Sequence, residues 1–268
     1  MAIMNRIERL FSSKKKNILS IYFTAGFPQL NDTEIILNAL QSNGADLIEV
    51  GMPYSDPLAD GPVIQHSSMI ALQNGMSIKL LFDQLNHFHN SSSGIKSSAP
   101  LILMGYLNPV LQYGIEKFCS DAHSAGIDGL ILPDLPMYEY EKEYRKIFEK
   151  YNLDFIFLIT PETSEDRIKK IDKLSKGFIY AVSSSSITGK DKDLNEQENY
   201  FKRIESMNLK SPVMIGFGIK DNKTFSQACK HAAGAIIGTA YIKAIENNSI
   251  EASTLNFINS ILEPSANV

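Results

Sequence analysis

Two carboxylates stand out by where they sit. Glu49 interrupts the apolar run 47–50, and Asp60 comes next on a loop rich in Pro and Asp that runs to Pro62. An ionised carboxylate in an apolar strand is costly unless something compensates it. Glu49 is therefore either tied to a structural partner or kept for chemistry, and the residue pattern leaves both readings open. For Asp60 the bland alternative is a loop acid at the entry of the next helix, since Asp60-Gly61-Pro62 suits a helix start. If both acids serve a site, their contrasting surroundings suit proton transfer without a cofactor.

Elements able to position these acids recur along the chain. Short apolar runs fall at 18–24, 47–50, 101–106, 129–132, 154–159, 178–183, 213–217 and 235–237. They are continuous more than alternating, as parallel strands covered on both faces are. Helical patterns separate them. Asn31 or Asp32 is a candidate cap before Glu34, Ile35, Leu37 and Leu40, with Gly44 as the stop. Ser164 is a candidate cap for a helix through Ile168 and Ile171, and further helices are expected near 63–73, 78–89 and 223–232. Residues 90–98 are Ser-rich and predict an exposed, mobile turn. The turns Gly44-Ala45-Asp46 and Gly126-Ile127-Asp128 each precede a run, as αβ turns at the bottom of a barrel do. Eight β-then-α units predict a single (β/α)8 TIM barrel over residues 1–268. An extra amphipathic helix is expected before it, with Ile3, Ile7, Leu10 and Phe11 on one side. The rival doubly wound sheet would open with a Gly-rich dinucleotide fingerprint, but the first run leads instead into Thr24-Ala-Gly-Phe-Pro28.

In a TIM barrel the chemistry sits where strands end in loops. That rule gathers Glu49, Asp60 and an aromatic mouth of Tyr22, Tyr106, Tyr180 and Phe217. It also gathers the Gly-containing turns Thr188-Gly189, Gly216-Phe217-Gly218 and Gly238-Thr239, whose backbone N–H groups could close around a phosphate. Such a pocket suits a flat apolar ring with a phosphorylated tail. The run Ser183 to Ser186 lacks a nucleophile elbow and a neighbouring His. The five histidines fall in helical patterns, so we expect no metal site. No Lys ends a strand, which argues against a Schiff-base aldolase. The two cysteines suggest no disulfide framework. A net charge of -4 with Lys14-Lys15-Lys16 as the sole basic run argues against nucleic-acid binding, and that run is expected to be a solvated turn. Without a signal peptide or membrane-length apolar run, the expected location is cytoplasmic.

These residues form motifs that resemble the tryptophan synthase alpha subunit. They are Tyr22-Phe-Thr-Ala-Gly-Phe-Pro28, Glu49-Val-Gly-Met-Pro-Tyr-Ser-Asp-Pro-Leu-Ala-Asp-Gly-Pro62, Met104-Gly-Tyr-Leu-Asn-Pro109, Pro133-Asp-Leu-Pro136, Ile187-Thr-Gly189 and Gly216-Phe-Gly218. The resemblance covers nearly the whole chain. It implies a TIM barrel that cleaves indole-3-glycerol phosphate to indole and glyceraldehyde 3-phosphate. It also implies a beta-subunit partner in an α2β2 assembly, with pyridoxal phosphate on the partner and no cofactor in this chain. By the same resemblance Glu49 is the acid–base carboxylate and Asp60 binds the indole N–H. Tyr22, Tyr180, Thr188, Gly189, Phe217, Gly218, Gly238 and Thr239 contact substrate. Asp56, Pro57 and Asn108 face the beta subunit, and a lid from Ser184 to about Asn195 closes with Thr188 on Asp60. Tyr22 departs from the family, which often has Phe there, and Ser185-Ser186 stand where a glycine is usual. The resemblance leaves alternatives: a free-standing indole-releasing lyase, or a barrel kept only as a binding subunit. A metal-dependent isomerase of the same fold would want histidines at strand ends.

Overall fold

The structure, a computed structural model, describes residues 4–91, 99–182, 194–216 and 218–263. Its strands are β1 (Ile18–Thr24), β2 (Leu47–Gly51), β3 (Leu101–Met104), β4 (Gly129–Ile131), β5 (Asp154–Phe155), β6 (Phe157–Ile159), β7 (Ile179–Val182), β8 (Val213–Gly216) and β9 (Gly234–Ile237). All pairs are parallel, in the order β5-β4-β3-β2-β1-β9-β8-β7-β6. The order begins and ends on one chain segment: β5 pairs with β4, and β6 pairs with β7. The single run expected at 154–159 is thus one stave in two pieces, parted at Ile156, and it closes the barrel at eight staves. The run expected at 101–106 ends earlier, at Met104, because Tyr106 already precedes the helix Leu107–Tyr113.

Strand faces alternate between two cores. Leu19, Ile21 and Phe23 pack outward with Ile36, Leu37 and Leu40 of the helix Asp32–Ser42. Ile18, Leu47, Ile102, Ile131, Ile156, Phe178, Met214 and Ile236 fill the barrel interior. The expected N-terminal helix is present as Arg6–Ser13 and closes the bottom of that interior. Its Ile7 and Phe11 belong to the inner core, and Phe11 packs on Phe178 with ring centroids 5.7 Å apart. Asn5 caps the helix and its Nδ2 donates to the Asp128 carbonyl at 3.0 Å, while Arg6 pairs with Asp128 at 2.7 Å.

The bottom turns also align the strands. Asp46 Oδ2 accepts from Leu19 N at 2.8 Å, and Asp128 Oδ2 accepts from Leu101 N at 2.8 Å. Each aspartate thereby ties the start of its own strand to the start of a neighbour. The basic run before β1 is not simply solvated as expected. Lys14 pairs with Asp46 at 2.6 Å, and Lys16 Nζ donates to the carbonyls of Cys229, Lys230 and Ala232 at the end of the helix Asn222–His231. That placement offsets the partial negative charge of a helix C-terminus.

The caps divide. Ser164 accepts from Arg167 N and starts the helix Glu165–Leu174 as expected. Asn31 holds the N-cap position of the helix Asp32–Ser42 as expected, but its side chain makes no capping bond; Asp32 Oδ2 accepts from Gln29 N at 3.0 Å, inside the preceding turn. The two helices between β2 and β3 are Pro62–Gln73 and Ile78–Ser91, and most of the expected Ser-rich turn lies outside the described residues. No helix among the described residues is long and apolar enough to cross a membrane.

Candidate active site

Glu49 lies on β2 in register with Tyr22 of β1 and Ile102 of β3. It is 0% exposed. Ser20, on the neighbouring strand, donates its hydroxyl to Glu49 Oε1 at 2.9 Å, whereas Oε2 is buried without a partner. Burial pushes the Glu49 pKa up to about 8, opposed by the Ser20 hydrogen bond. The group therefore carries a proton at neutral pH and can release it at modest cost.

Asp60 stands at the far end of the loop that leaves β2. Its backbone N donates to the Pro57 carbonyl at 3.0 Å, and its carbonyl accepts from Gln65 Nε2 at 2.9 Å. The Tyr106 hydroxyl donates to Asp60 Oδ2 at 3.2 Å and accepts from Ala59 N at 3.0 Å. Tyr106 thus fixes both the loop backbone and the carboxylate. Burial raises the Asp60 pKa to about 6, and the Tyr106 bond holds it down. The acid sits on a loop, off the apolar strand. The structure half-buries it, yet leaves it ionised at neutral pH.

The two phenols of the mouth are seated on glycines. A Cβ on Gly51 would overlap the Tyr22 hydroxyl, and one on Gly216 would overlap the Tyr180 hydroxyl. Both tyrosines are buried, and burial with the nearby charges of Glu49 and Asp60 pushes both phenols far above their usual range. Neither ionises.

Tyr22, Asp60, Ile64, Met104, Tyr180, Gly218, Ile219, Ile236, Gly238 and Thr239 surround one cavity of about 60 Å³. Ligand pockets commonly hold roughly 300 Å³ or more, so the cavity as it stands is smaller than a bicyclic ring requires. Glu49 does not line the cavity. It lies beside it, close enough for its charge to act on Tyr22 and Tyr180. A larger groove of about 850 Å³ at the bottom of the barrel is lined by Arg6, Arg9, Gln41 and Asp46, and holds no comparable acid pair.

Of the site residues expected from sequence, the structure brings Tyr22, Asp60, Tyr180, Gly218, Gly238 and Thr239 to one cavity with Glu49 alongside. Thr188, Gly189, Phe217 and most of the expected lid lie outside the described residues. Asp56 and Asn108 are on the rim, with Asn108 Nδ2 donating to the Tyr54 hydroxyl at 3.4 Å. Pro57 is buried, and its neighbour Leu58, 78% exposed, is the side chain presented outward. Ser20 and the Asp60-holding role of Tyr106 were missed by sequence reasoning. The signal for Ser20 was a polar residue inside the apolar run of β1. All five histidines lie on helices: His66, His87, His89, His123 and His231. Cys119 and Cys229 are buried, with their thiols pushed up to about 12 and about 11, so neither is a ready nucleophile.

A buried acid near pKa 8, a second acid held ionised, and an apolar slot between glycine turns are an arrangement with the chemistry for proton transfer. A family profile described as "Tryptophan synthase alpha chain" matches residues 9–262. The chain belongs to the tryptophan synthase alpha chain family. It is 56% identical over 246 residues to the tryptophan synthase alpha chain of Flavobacterium johnsoniae, covering 91% of this chain and 95% of that one. The Parabacteroides distasonis alpha chain is 50% identical over 261 residues, 97% of this chain and 98% of that one. Among solved structures, tryptophan synthase subunit alpha from Legionella pneumophila superposes with a TM-score of 0.86 at 32% identity, covering 97% of each chain. A chain of M. tuberculosis tryptophan synthase superposes with a TM-score of 0.82 at 28% identity, covering 96% of this chain and 98% of that one. The chain is accordingly a lyase, and its reaction is the retro-aldol cleavage of indole-3-glycerol phosphate to indole and glyceraldehyde 3-phosphate.

Proposed function

We propose that Glu49 is the acid–base group of this cleavage and that Asp60 is its electrostatic partner. The observation that carries this reading is the split between two neighbouring carboxyls, one near pKa 8 and one near 6. Protonated Glu49 delivers its proton to indole C3. Ionised Asp60 accepts a hydrogen bond from the ring N–H and offsets the positive charge that forms on nitrogen. Glu49, now a carboxylate, removes the proton of the glycerol hydroxyl next to the scissile bond. The carbon–carbon bond breaks, the aldehyde forms, and the bonding electron pair returns to the ring. The hydroxyl proton thus replaces the one given to C3, and no external acid, base or oxidant is consumed.

Tyr22 and Tyr180 hold the ring. The backbone N–H groups of the turns at Gly189, Phe217–Gly218 and Gly238–Thr239 hold the phosphate. Thr188 closes with its loop over the bound substrate and meets Asp60. The chain works as one domain over residues 1–268, in the cytoplasm, with no cofactor of its own. Its partner is a tryptophan synthase beta subunit carrying pyridoxal phosphate, in an α2β2 assembly that receives the indole and makes L-tryptophan. The partner's landing surface is the rim holding Asp56, Pro57 and Asn108.

Indole release from indole-3-glycerol phosphate, by the chain alone and with a beta subunit added, tests this reading. Slow cleavage that rises sharply with partner is expected. Fast cleavage unaffected by partner would replace it with a free-standing lyase.

A further inference from the structure

Along the inner face of β1, Ser20 falls between Ile18 and Tyr22. It is in register with Leu47, and Tyr22 is in register with Glu49, so the serine stands one inward step nearer the bottom of the barrel than the acid. Its hydroxyl donates to Glu49 Oε1 at 2.9 Å across the strand pair, and both residues are 0% exposed. Among the described residues this is the one hydrogen bond that either side chain makes. Side-chain hydrogen bonds usually go to backbone or water. This one is given to a carboxyl with no other partner.

The other groups around the acid do not pair with it. Tyr22 on β1 and Tyr180 on β7 feel its charge and stay neutral, Asp60 stands on the loop beyond β2, and its register partner on β3 is the apolar Ile102. Burial raises the Glu49 pKa, and the Ser20 bond is what lowers it. A terminal carboxyl torsion is soft on its own. A donor fixed on the neighbouring strand holds Oε1 in place and leaves Oε2 free to carry the proton.

The cleavage uses this carboxyl in both forms, as the acid that gives a proton and as the carboxylate that takes one. Once Glu49 is ionised, the bond from Ser20 becomes charge-assisted and about twice as strong as a neutral one. It therefore stabilises the form that burial opposes, at the moment that form is needed. We propose that Ser20 is a positioning residue for the cleavage, its hydroxyl anchoring Glu49 by Oε1 and supporting the carboxylate that forms after the proton is given to the ring. The inference rests on the reading of Glu49 as the acid–base group. Ser20 itself touches neither substrate nor the transferred proton.

Two readouts on the full chain test this with Ser20→Ala, Ser20→Cys and Ser20→Thr. The first is the titration of Glu49, followed by carbon NMR on protein labelled at its glutamate carboxyls; the Glu49 signal is the one absent from Glu49→Gln. Ser20→Ala should raise its midpoint by about 1 to 2 pH units, the worth of one hydrogen bond to a charged group. Ser20→Cys fills the same space with a weak donor, so it should shift the same way even where the alanine variant does not fold. Ser20→Thr keeps the hydroxyl and should bring the midpoint back toward wild type. The second readout is turnover of indole-3-glycerol phosphate with a beta subunit present. Ser20→Ala should lower kcat by about 3- to 10-fold at unchanged KM. The protonated acid is the form that starts the reaction, so the alkaline limb of kcat/KM should move up with the titration. A Glu49 midpoint that stays in place in the folded variants would overturn the role of Ser20 and leave the proposed function standing. A moved midpoint with rate and limb unchanged would take Glu49 out of the chemistry and overturn both.

Discussion

Replacing Glu49 by Gln should remove the reaction and, at alkaline pH, stabilise the fold. The carboxyl titrates at about 8 in the folded chain against a usual 4.5. A folded value above the unfolded one means the native state binds the extra proton between those limits. The stability tied to Glu49 is therefore fully present below about pH 4.5 and is lost as pH rises through about 8. Linkage across that interval gives about 2 kcal/mol lost by pH 6 and about 5 kcal/mol by pH 9. Gln copies the protonated acid in size and carries no charge, so it escapes the loss. The stability of Glu49→Gln minus that of wild type should grow by about 3 kcal/mol between pH 6 and pH 9. Asp60 and Asp154, raised to about 6 and about 7, tilt the curves of both proteins and cancel in the difference. Urea unfolding midpoints of the two proteins at both pH values measure it. Parallel pH dependence would show that Glu49 ionises in the fold as easily as in water, and it could then not be the proton donor described.

Other residues make separable claims. Tyr106→Phe removes the bond that holds the Asp60 pKa down, so the acidic limb of kcat/KM should move to higher pH; an unmoved limb between pH 5 and 8 would uncouple Tyr106 from Asp60. Gly51→Ala should displace Tyr22, whose hydroxyl occupies the place of the new Cβ. Its stability cost should largely vanish in a Tyr22→Leu background, and strict additivity in that double-mutant cycle would contradict the seat described. Phe11→Ala opens the plugged end of the barrel and should cost about 3–5 kcal/mol in chemical denaturation; a loss under about 1 kcal/mol would mean that the N-terminal helix is only loosely applied.

The parts of the site legible in the sequence were those with a local signature. Glu49 showed because an acid in an apolar run is anomalous, and the barrel showed because its strands read as separate apolar runs. The Gly-Ala-Asp and Gly-Ile-Asp turns showed as turns, though their clamping of neighbouring strands did not. Features that depend on pairing across the barrel were silent. Ser20 reaches Glu49 from another strand, and Tyr106 reaches Asp60 from the loop after β3. No spacing along the chain announces either contact. The helix Leu107–Tyr113 was missed because its seven residues bury one side chain, Val110, and so show no apolar stripe; Pro109 is tolerated in its first turn. The short elements from Met137 to Lys150 include a π turn at Tyr140–Tyr144, and a changing helical period hides the apolar stripe that would have revealed them.

The decisive experiment on Glu49 is the rate of indole formation from saturating indole-3-glycerol phosphate by wild type and Glu49→Gln, each with a beta subunit present and each shown to be folded and to bind substrate. Turnover is expected from wild type, and none detectable from Glu49→Gln at unchanged substrate affinity. Turnover by Glu49→Gln near the wild-type rate would take Glu49 out of the chemistry.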